Sequence, residues 1–302
     1  MKDGVTVGVV TYERSELFAQ MLDYLATSIR ACTFPVDLVV VNNSGPVARA
    51  DVLAVLDRSA IAEVCTVRLL DSAENNISIG RNLALDGCRT RLLAFLDDDE
   101  YPRPDWLSRL VACQASGVGQ LVGGPILPVF PDAAPRWVKA IDLHNARGLA
   151  TGDIIRRTAT GNCLLDTAVL DGHRFDPAFG RSGGGDAHFF ETLSRRGHTL
   201  VWCAEAIVEE TISAERATAR FALFRFIKQG NNFSRFMLAD ASWVRRIQFR
   251  LRAAVLAPVG IVGGALLWPF SARHCARWWK GGFTNLGKLL ALRTDLYGEP
   301  RG

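Results

Sequence analysis

Six residues without a charge, Val5–Val10, open the chain, and from Ser15 to Cys32 the apolar positions then recur every three or four residues. The first run predicts a buried strand, the second an amphipathic helix with Ser15 as its N-cap. The alternation repeats. Residues 36–45 (VDLVVVNNSG) read as a short buried strand closing in turn residues, followed by a helix around 47–58 and a strand near 64–70. A helix over 77–90 is entered from the Asn75–Asn76 turn, and RLLAFLDDD (91–99) supplies a fourth apolar strand. Strands alternating with helices predict an α/β fold, a mainly parallel sheet covered on both faces. Ligands of such sheets bind beyond the carboxyl ends of the strands. Thr11–Tyr12, Asn42–Asn43 and Asp97–Asp99 end three of these strands, so all three sets of polar groups are expected on one edge.

Beyond residue 120 the pattern loosens into Gly- and Pro-rich sequence (LVGGPILPVFPDAAPRW). Strands at 161–170 and 197–208 then flank a helix at 186–197, and from Arg216 basic helices alternate with an apolar stretch. At 302 residues, 49% hydrophobic and 22% charged, the chain suits one α/β domain of about 200–250 residues with an appendage. Seven scattered cysteines without a CxxC pair argue against a disulfide framework or a zinc site and for a reducing cytosol. The first residues enter a strand almost at once, so no signal peptide is expected. GxGxxG and GxxxxGK[ST] are absent, which removes the usual dinucleotide and P-loop readings.

Charge sharpens the division. From Ser213 onward 15 Lys and Arg face 4 Asp and Glu, a balance of +11; residues 1–212 hold 20 against 27, a balance of −7. The adjacent carboxylates of Asp97, Asp98, Asp99 and Glu100 repel one another unless a cation joins them. Hard oxygen donors select Mg²⁺ or Mn²⁺, and Mg²⁺ commonly takes one or two carboxylates plus a substrate's phosphates. A nucleotide-diphosphate compound held through its metal fits this edge.

VTYERSEL (10–17), NNISIGRNLALDGC (75–88), FLDDDE (95–100) and SGGGDAHFF (182–190) resemble, in order and with compatible gaps, the inverting glycosyltransferases of family 2, and among them the succinoglycan-pathway β-glucosyltransferase type. The resemblance covers roughly residues 5–230. It implies the GT-A (nucleotide-diphospho-sugar transferase) fold, with Thr11 and Tyr12 against the uracil and Asn42 or Asn43 where relatives carry a base-reading aspartate. It implies Arg81 on the nucleotide, Asp98 on the ribose, Asp99 on the metal, and Asp97 supporting the turn. Asp186, behind the RSGGG loop, is the implied general base, with Gly184, Gly185 and Trp137 on the acceptor side. Arg225 and Lys228, in RFIKQG, stand where relatives touch the donor diphosphate. Two departures stand out. Gly185 replaces a glutamate, and where relatives place a metal-binding histidine the sequence reads IVEET, with Glu209 there and Glu210 beside it.

The implied reaction moves a sugar, glucose, from a UDP-sugar to a polyprenyl-diphosphate-linked saccharide in bacterial exopolysaccharide biosynthesis. A catalytic domain over 1–212 and a membrane-associating region over 213–302 follow from the charge division. The basic, aromatic-rich segment 220–252 suits an anionic membrane surface. The charge-free run 253–270 just reaches spanning length, but Pro258 and three glycines weaken a regular helix, so an interfacial or shallow hairpin is expected. This places the chain at the cytoplasmic face of the inner membrane, peripheral or monotopic. No nucleic-acid motif accompanies the charge. Two rival readings stand beside this one. A haloacid-dehalogenase-type phosphatase needs Asp-x-Asp followed by Gly or Thr, which DDDEYP lacks; a catalytically impaired, transferase-like membrane scaffold is suggested by Asn42–Asn43 and Gly185.

Overall fold

A computed structural model describes residues 2–141, 148–181, 183–238 and 241–290. Among them, 2–127 and 148–210 form one compact unit, and 128–141 with 211–290 form another. The expected division at 212/213 left residues 128–141 with the front of the chain; here they belong with the C-terminal unit.

The first unit carries the strands β1 (Lys2–Thr11), β2 (Val36–Asn42), β3 (Thr66–Asp71) and β4 (Thr90–Asp97). Between them run α1 (Ser15–Arg30), α2 (Arg49–Arg58) and α3 (Ile77–Gly87). Then come β5 (Glu100–Pro102), α4 (Trp106–Ala115), β6 (Leu121–Gly123), β7 (Ile126–Val129), the helix α5 (Arg136–Lys139), β8 (Ile154–Ile155) and β9 (Asn162–Asp166). After α6 (Gly185–Arg195) follow β10 (Leu200–Trp202) and β11 (Val208–Thr211). The central sheet has the order β3-β2-β1-β4-β9-β6-β10-β8. Its first four strands are parallel, as the alternation predicted, while β9 enters antiparallel between β4 and β6.

Register explains the edge. Thr11 pairs with Asn42 and Val10 with Asp97, so the three polar strand ends fall side by side. The strands are fully buried apolar runs, with Val7, Val9, Leu38 and Val40 facing one core layer and Val39, Val41, Leu93 and Phe95 the other. That two-faced burial is the pattern a covered parallel sheet requires. Trp106, at the start of α4, is fully buried and donates from Nε1 to Asn162 Oδ1 at 2.8 Å.

The second unit holds α7 (Ala219–Leu238), α8 (Trp243–Leu267) and α9 (Ala272–Leu289) with α5. The charge-free run is not a broken hairpin by itself. It continues the basic segment before it as one helix of 25 residues, Pro258 included. The glycines that weaken an isolated helix here let two helices approach. A Cβ on Gly260 would lie 2.4 Å from Gly282 Cα of α9, and Gly263 and Gly264 make room for the rings of Trp278 and Trp279. Packing thus offsets the helix-propensity cost of about 1 kcal/mol per glycine. Ser242 and Ser271 cap α8 and α9 through their side chains.

Candidate active site at the sheet edge

β4 delivers the acids. Asp98 is buried, and each of its oxygens is engaged: Oδ2 accepts from Thr11 Oγ1 at 2.9 Å and from the Tyr12 amide at 3.3 Å, and Oδ1 accepts from Arg14 Nη1 at 3.0 Å. The same nitrogen donates to Asp99 Oδ2 at 2.7 Å. Burial pushes the Asp98 carboxyl up to about 7, opposed by Arg14 and Thr11 and reinforced by Asp99 and Asp97. Asp97 is also raised, first by burial and then by the charges of Asp99 and Asp186, while Arg81 and Arg14 draw it down.

Arg81 reaches this edge from α3. Its Nη2 lies 3.6 Å from Asp97 Oδ1, and its guanidinium stands over the Phe175 ring, 5.7 Å from the centroid. It is no exposed helix arginine. Asn42 is fully buried and spent on the loop it terminates, donating to Gly45 O at 2.7 Å and Asp71 Oδ1 at 2.9 Å while accepting from the Ser44 amide. Asn43 is buried as well, and in either amide orientation it bonds the 74–76 turn.

Asp186 sits in the first turn of α6, where the helix N-terminus favours a carboxylate. Gly183 and Gly184 precede it with φ of 81° and 91°, left-handed values that suit glycine; Ser182 lies outside the described residues. The charge of Asp186 reaches Asp97, so β4 and α6 bring the two carboxylates into one field. Two asparagines hold this arrangement: Asn76, in the turn the sequence placed before α3, and Asn82, to which the sequence assigned no role. Asn76 caps α3 by accepting from the amides of Ser78 and Ile79, and its Nδ2 donates to Pro177 O at 3.0 Å. Asn82 clamps the Phe175 backbone at both groups, each at 2.8 Å. Together they fasten the segment 175–180, which leads into α6, to the helix that carries Arg81. The missing glutamate has a steric setting: Gly185 is buried, and a Cβ there would lie 3.2 Å from Ser78 Oγ and 3.4 Å from Phe179 Cβ.

Other expected residues fall elsewhere. Glu209 pairs with Arg103, at 2.9 Å to Nη2 and 3.2 Å to Nε, and does not face the acids. Side chains alternate along a strand. In β11 it is Glu210, opposite Glu100 of β5, that is buried and adds to the charge around Glu100. Trp137 is not open for stacking on a sugar: it is buried in the second unit's core, edge-on to Trp279 at 4.8 Å. Ser15 does not cap α1; Arg14 occupies that position, with its side chain on the acids instead. Arg225 and Lys228 lie half-buried on α7, in the second unit. Arg14 was given no role from the sequence, and of the pair Glu209–Glu210 the sequence favoured the wrong member, because these roles depend on the turn at Glu13 and on strand phase.

The donor set for a cation is all carboxylate oxygen, and Glu100 Oε2 is a buried atom without a hydrogen-bond partner. Among the described residues no three His, Cys, Asp or Glu groups converge on one point as a preformed metal cage. The all-oxygen donor set fits a hard divalent cation that shares its shell with a substrate's phosphates.

The comparisons with known proteins agree with this geometry. The family model described as glycosyl transferase family 2 matches residues 6–170. The succinoglycan biosynthesis protein ExoM of Rhizobium meliloti (strain 1021) is 30% identical over 272 residues, 89% of this chain and 87% of that protein. Among solved structures, a mannosyltransferase of Pyrobaculum calidifontis in complex with GDP-Man and Mn²⁺ superposes with a TM-score of 0.63 at 16% identity, covering 96% of this chain and 87% of the other. Residues 1–349 of S. aureus TarS, in complex with UDP-GlcNAc, give 0.50 at 15% identity, over 95% and 90%. At such identities these two likenesses speak for the GT-A-like fold. The chain belongs to glycosyl transferase family 2.

Proposed function

We propose that the protein is an inverting, metal-dependent hexosyltransferase that moves glucose from UDP-glucose to a polyprenyl-diphosphate-linked saccharide during exopolysaccharide assembly. The observation that carries this reading is the pairing of Asp186, at the N-terminus of α6, with the acids at the end of β4, across the suture made by Asn76 and Asn82. UDP as the nucleotide follows from the family resemblance of the sequence; of the two structural neighbours, TarS carries UDP-GlcNAc and the mannosyltransferase GDP-Man.

In this reading Thr11, Tyr12 and Asn43 border the base, with Asn42 shaping the loop beneath it. Asp98 organises Thr11, Tyr12 and Arg14 and lies next to the ribose. Arg81 offers its fixed fork of donors to the nucleotide. Asp99, with Asp97 and Glu210 nearby, would hold Mg²⁺ or Mn²⁺; Glu209 would not. The cation, when bound, neutralises the departing diphosphate, so no separate general acid is required. Asp186 takes the proton from the attacking acceptor hydroxyl, and a single displacement with one base inverts the anomeric centre. Arg225 and Lys228 on α7 carry charge suited to a diphosphate. Gly184 gives the backbone its turn beside Asp186, and Gly185 packs that turn onto Ser78.

The second unit supports a membrane-bound acceptor. Along α8, Val244, Ile247, Leu251, Val255, Val259, Val262 and Leu266 are exposed at spacings of three and four, one continuous stripe flanked by exposed Trp243 and Trp268. Arg245, Arg246, Arg250 and Arg252 share its first half. Such a helix suits the interface of an anionic leaflet, at the cytoplasmic face of the inner membrane. A scaffold without activity is not favoured, because Gly185 removes a neighbour of Asp186 and leaves Asp186 in its position.

Asp186→Asn is the direct test. Transfer of labelled glucose to the lipid-linked saccharide should fall by roughly 10²–10⁴, while UDP-glucose binding, followed calorimetrically with Mn²⁺, stays within about twofold. Near-wild-type turnover in this variant would remove Asp186 from the mechanism.

A further inference from the structure

Arg14 has no role in the reaction as written, yet it is the residue most intimately bound to the acids. One of its nitrogens, Nη1, bridges Asp98 Oδ1 at 3.0 Å and Asp99 Oδ2 at 2.7 Å. The backbone is shaped for this contact. Glu13 adopts φ of 49°, a left-handed value uncommon for a residue with a side chain, and its amide is held by Ser44 Oγ at 3.1 Å. The reversal at Glu13 turns Arg14, the residue at the N-cap position of α1, back onto β4's end. Its guanidinium cannot lose its proton at any working pH, so it leaves the carboxylates only when another cation replaces it there.

We infer that Arg14 is the resident counter-ion of the acid edge, occupying the charge position that the divalent cation takes, so that the cation enters only together with the nucleotide. This rests on the reading of Asp99 as a metal ligand. Arg14 Nη1 already holds Asp98 Oδ1 and Asp99 Oδ2, so a divalent ion taking that Asp99 oxygen meets the guanidinium charge at close range and the two compete for the position. A free metal ion must therefore displace Arg14 from two charge-assisted hydrogen bonds, with nothing to receive it. A nucleoside diphosphate changes the balance, since its phosphate oxygens are acceptors that a guanidinium binds well. Arg14's side chain is 27% exposed, so it has room to turn. Binding of metal and nucleotide is then positively coupled, and the coupling acts equally in both directions. Arg14 is thus a positioning residue that sets the order of assembly, not a catalytic one.

Mn²⁺ affinity of the full chain, measured by the loss of the free-ion paramagnetic resonance signal, tests this without turnover. Wild type should bind Mn²⁺ weakly alone and at least tenfold more tightly with UDP. In Arg14→Gln, Mn²⁺ alone should bind at least tenfold more tightly than to wild type, and UDP should add less than threefold. Arg14→Lys keeps the charge without the fork and should lie between them; should Arg14→Gln fail to fold, as judged by circular dichroism, Arg14→Lys against wild type decides. Variants whose UDP-free Mn²⁺ affinity equals or falls below wild type, with the UDP coupling intact, overturn the role of Arg14 alone. Absence of Mn²⁺ binding in every protein, with or without UDP, overturns the metal reading beneath it.

Discussion

Three aspartates in a row, given three different roles by the family resemblance, also differ in what they touch. Asp98 is buried and bonded to the first strand's end, Asp99 meets Arg14, and Asp97 faces Arg81 and the field of Asp186. The sign of their pH dependence follows. Burial pushes the Asp98 carboxyl up to about 7 in the folded chain, above its ordinary value. Between about pH 4 and 7 the folded state therefore binds more protons than the unfolded state, so this contribution to stability is full at low pH and lost as pH rises through 7. Thermal melts from pH 5 to 8 should show that fall, and Asp98→Asn, which cannot ionise, should flatten it. A slope unchanged in the variant would assign the effect to other groups. Which residues end the strands was legible from the apolar runs before them. What each one touches was not, since Arg14 and Glu210 reach the acids through a left-handed turn and through strand phase, neither of which leaves a trace in residue type.

Elements were read well where period decides and poorly where a neighbour decides. The four parallel strands and their helices are local patterns of buried residues, and the structure keeps them within a few residues. A regular helix over α8's charge-free part was expected to be weakened, because Gly260, Gly263, Gly264 and Pro258 are poor helix formers. It persists because α9 needs those small residues for its approach. Gly260→Leu should therefore destabilise the second unit by about 1–3 kcal/mol, read as a lower midpoint in urea, although leucine has the better propensity. Stabilisation instead would show that α8 and α9 do not pack closely in solution. In the first unit, Asn82→Ala removes both bonds to the Phe175 backbone. A loss of about 1–3 kcal/mol is expected, together with a fall in kcat larger than any change in the KM for the donor, because the segment leading to Asp186 is released while the donor residues stay. A donor KM effect alone would count against the suture.

For the whole molecule, the division of charge anticipated two units, and the family pattern carried the fold; the membership of residues 128–141 in the second unit was hidden because it rests on Trp137 and Val138 packing with residues distant in sequence. Helix α8, which carries the exposed stripe, is 25 residues long, about 37 Å at 1.5 Å per residue. By length and composition α8 could cross a membrane, whereas its charge-free portion, 253–267, is about 22 Å against the ~30 Å hydrocarbon core. In the proposed reading it rests in one leaflet. Val255→Glu with Val259→Glu, both exposed, should weaken co-sedimentation with vesicles rich in anionic lipid by at least tenfold and leave soluble UDP binding unchanged; retained sedimentation would move the contact elsewhere. A stripe that rests in one leaflet also changes what concentration means for the reaction. Enzyme and lipid-linked acceptor would meet by diffusion in a plane, and the rate would follow the acceptor's mole fraction among the lipids. Diluting that surface with neutral lipid at constant bulk acceptor should slow transfer, whereas adding buffer should not.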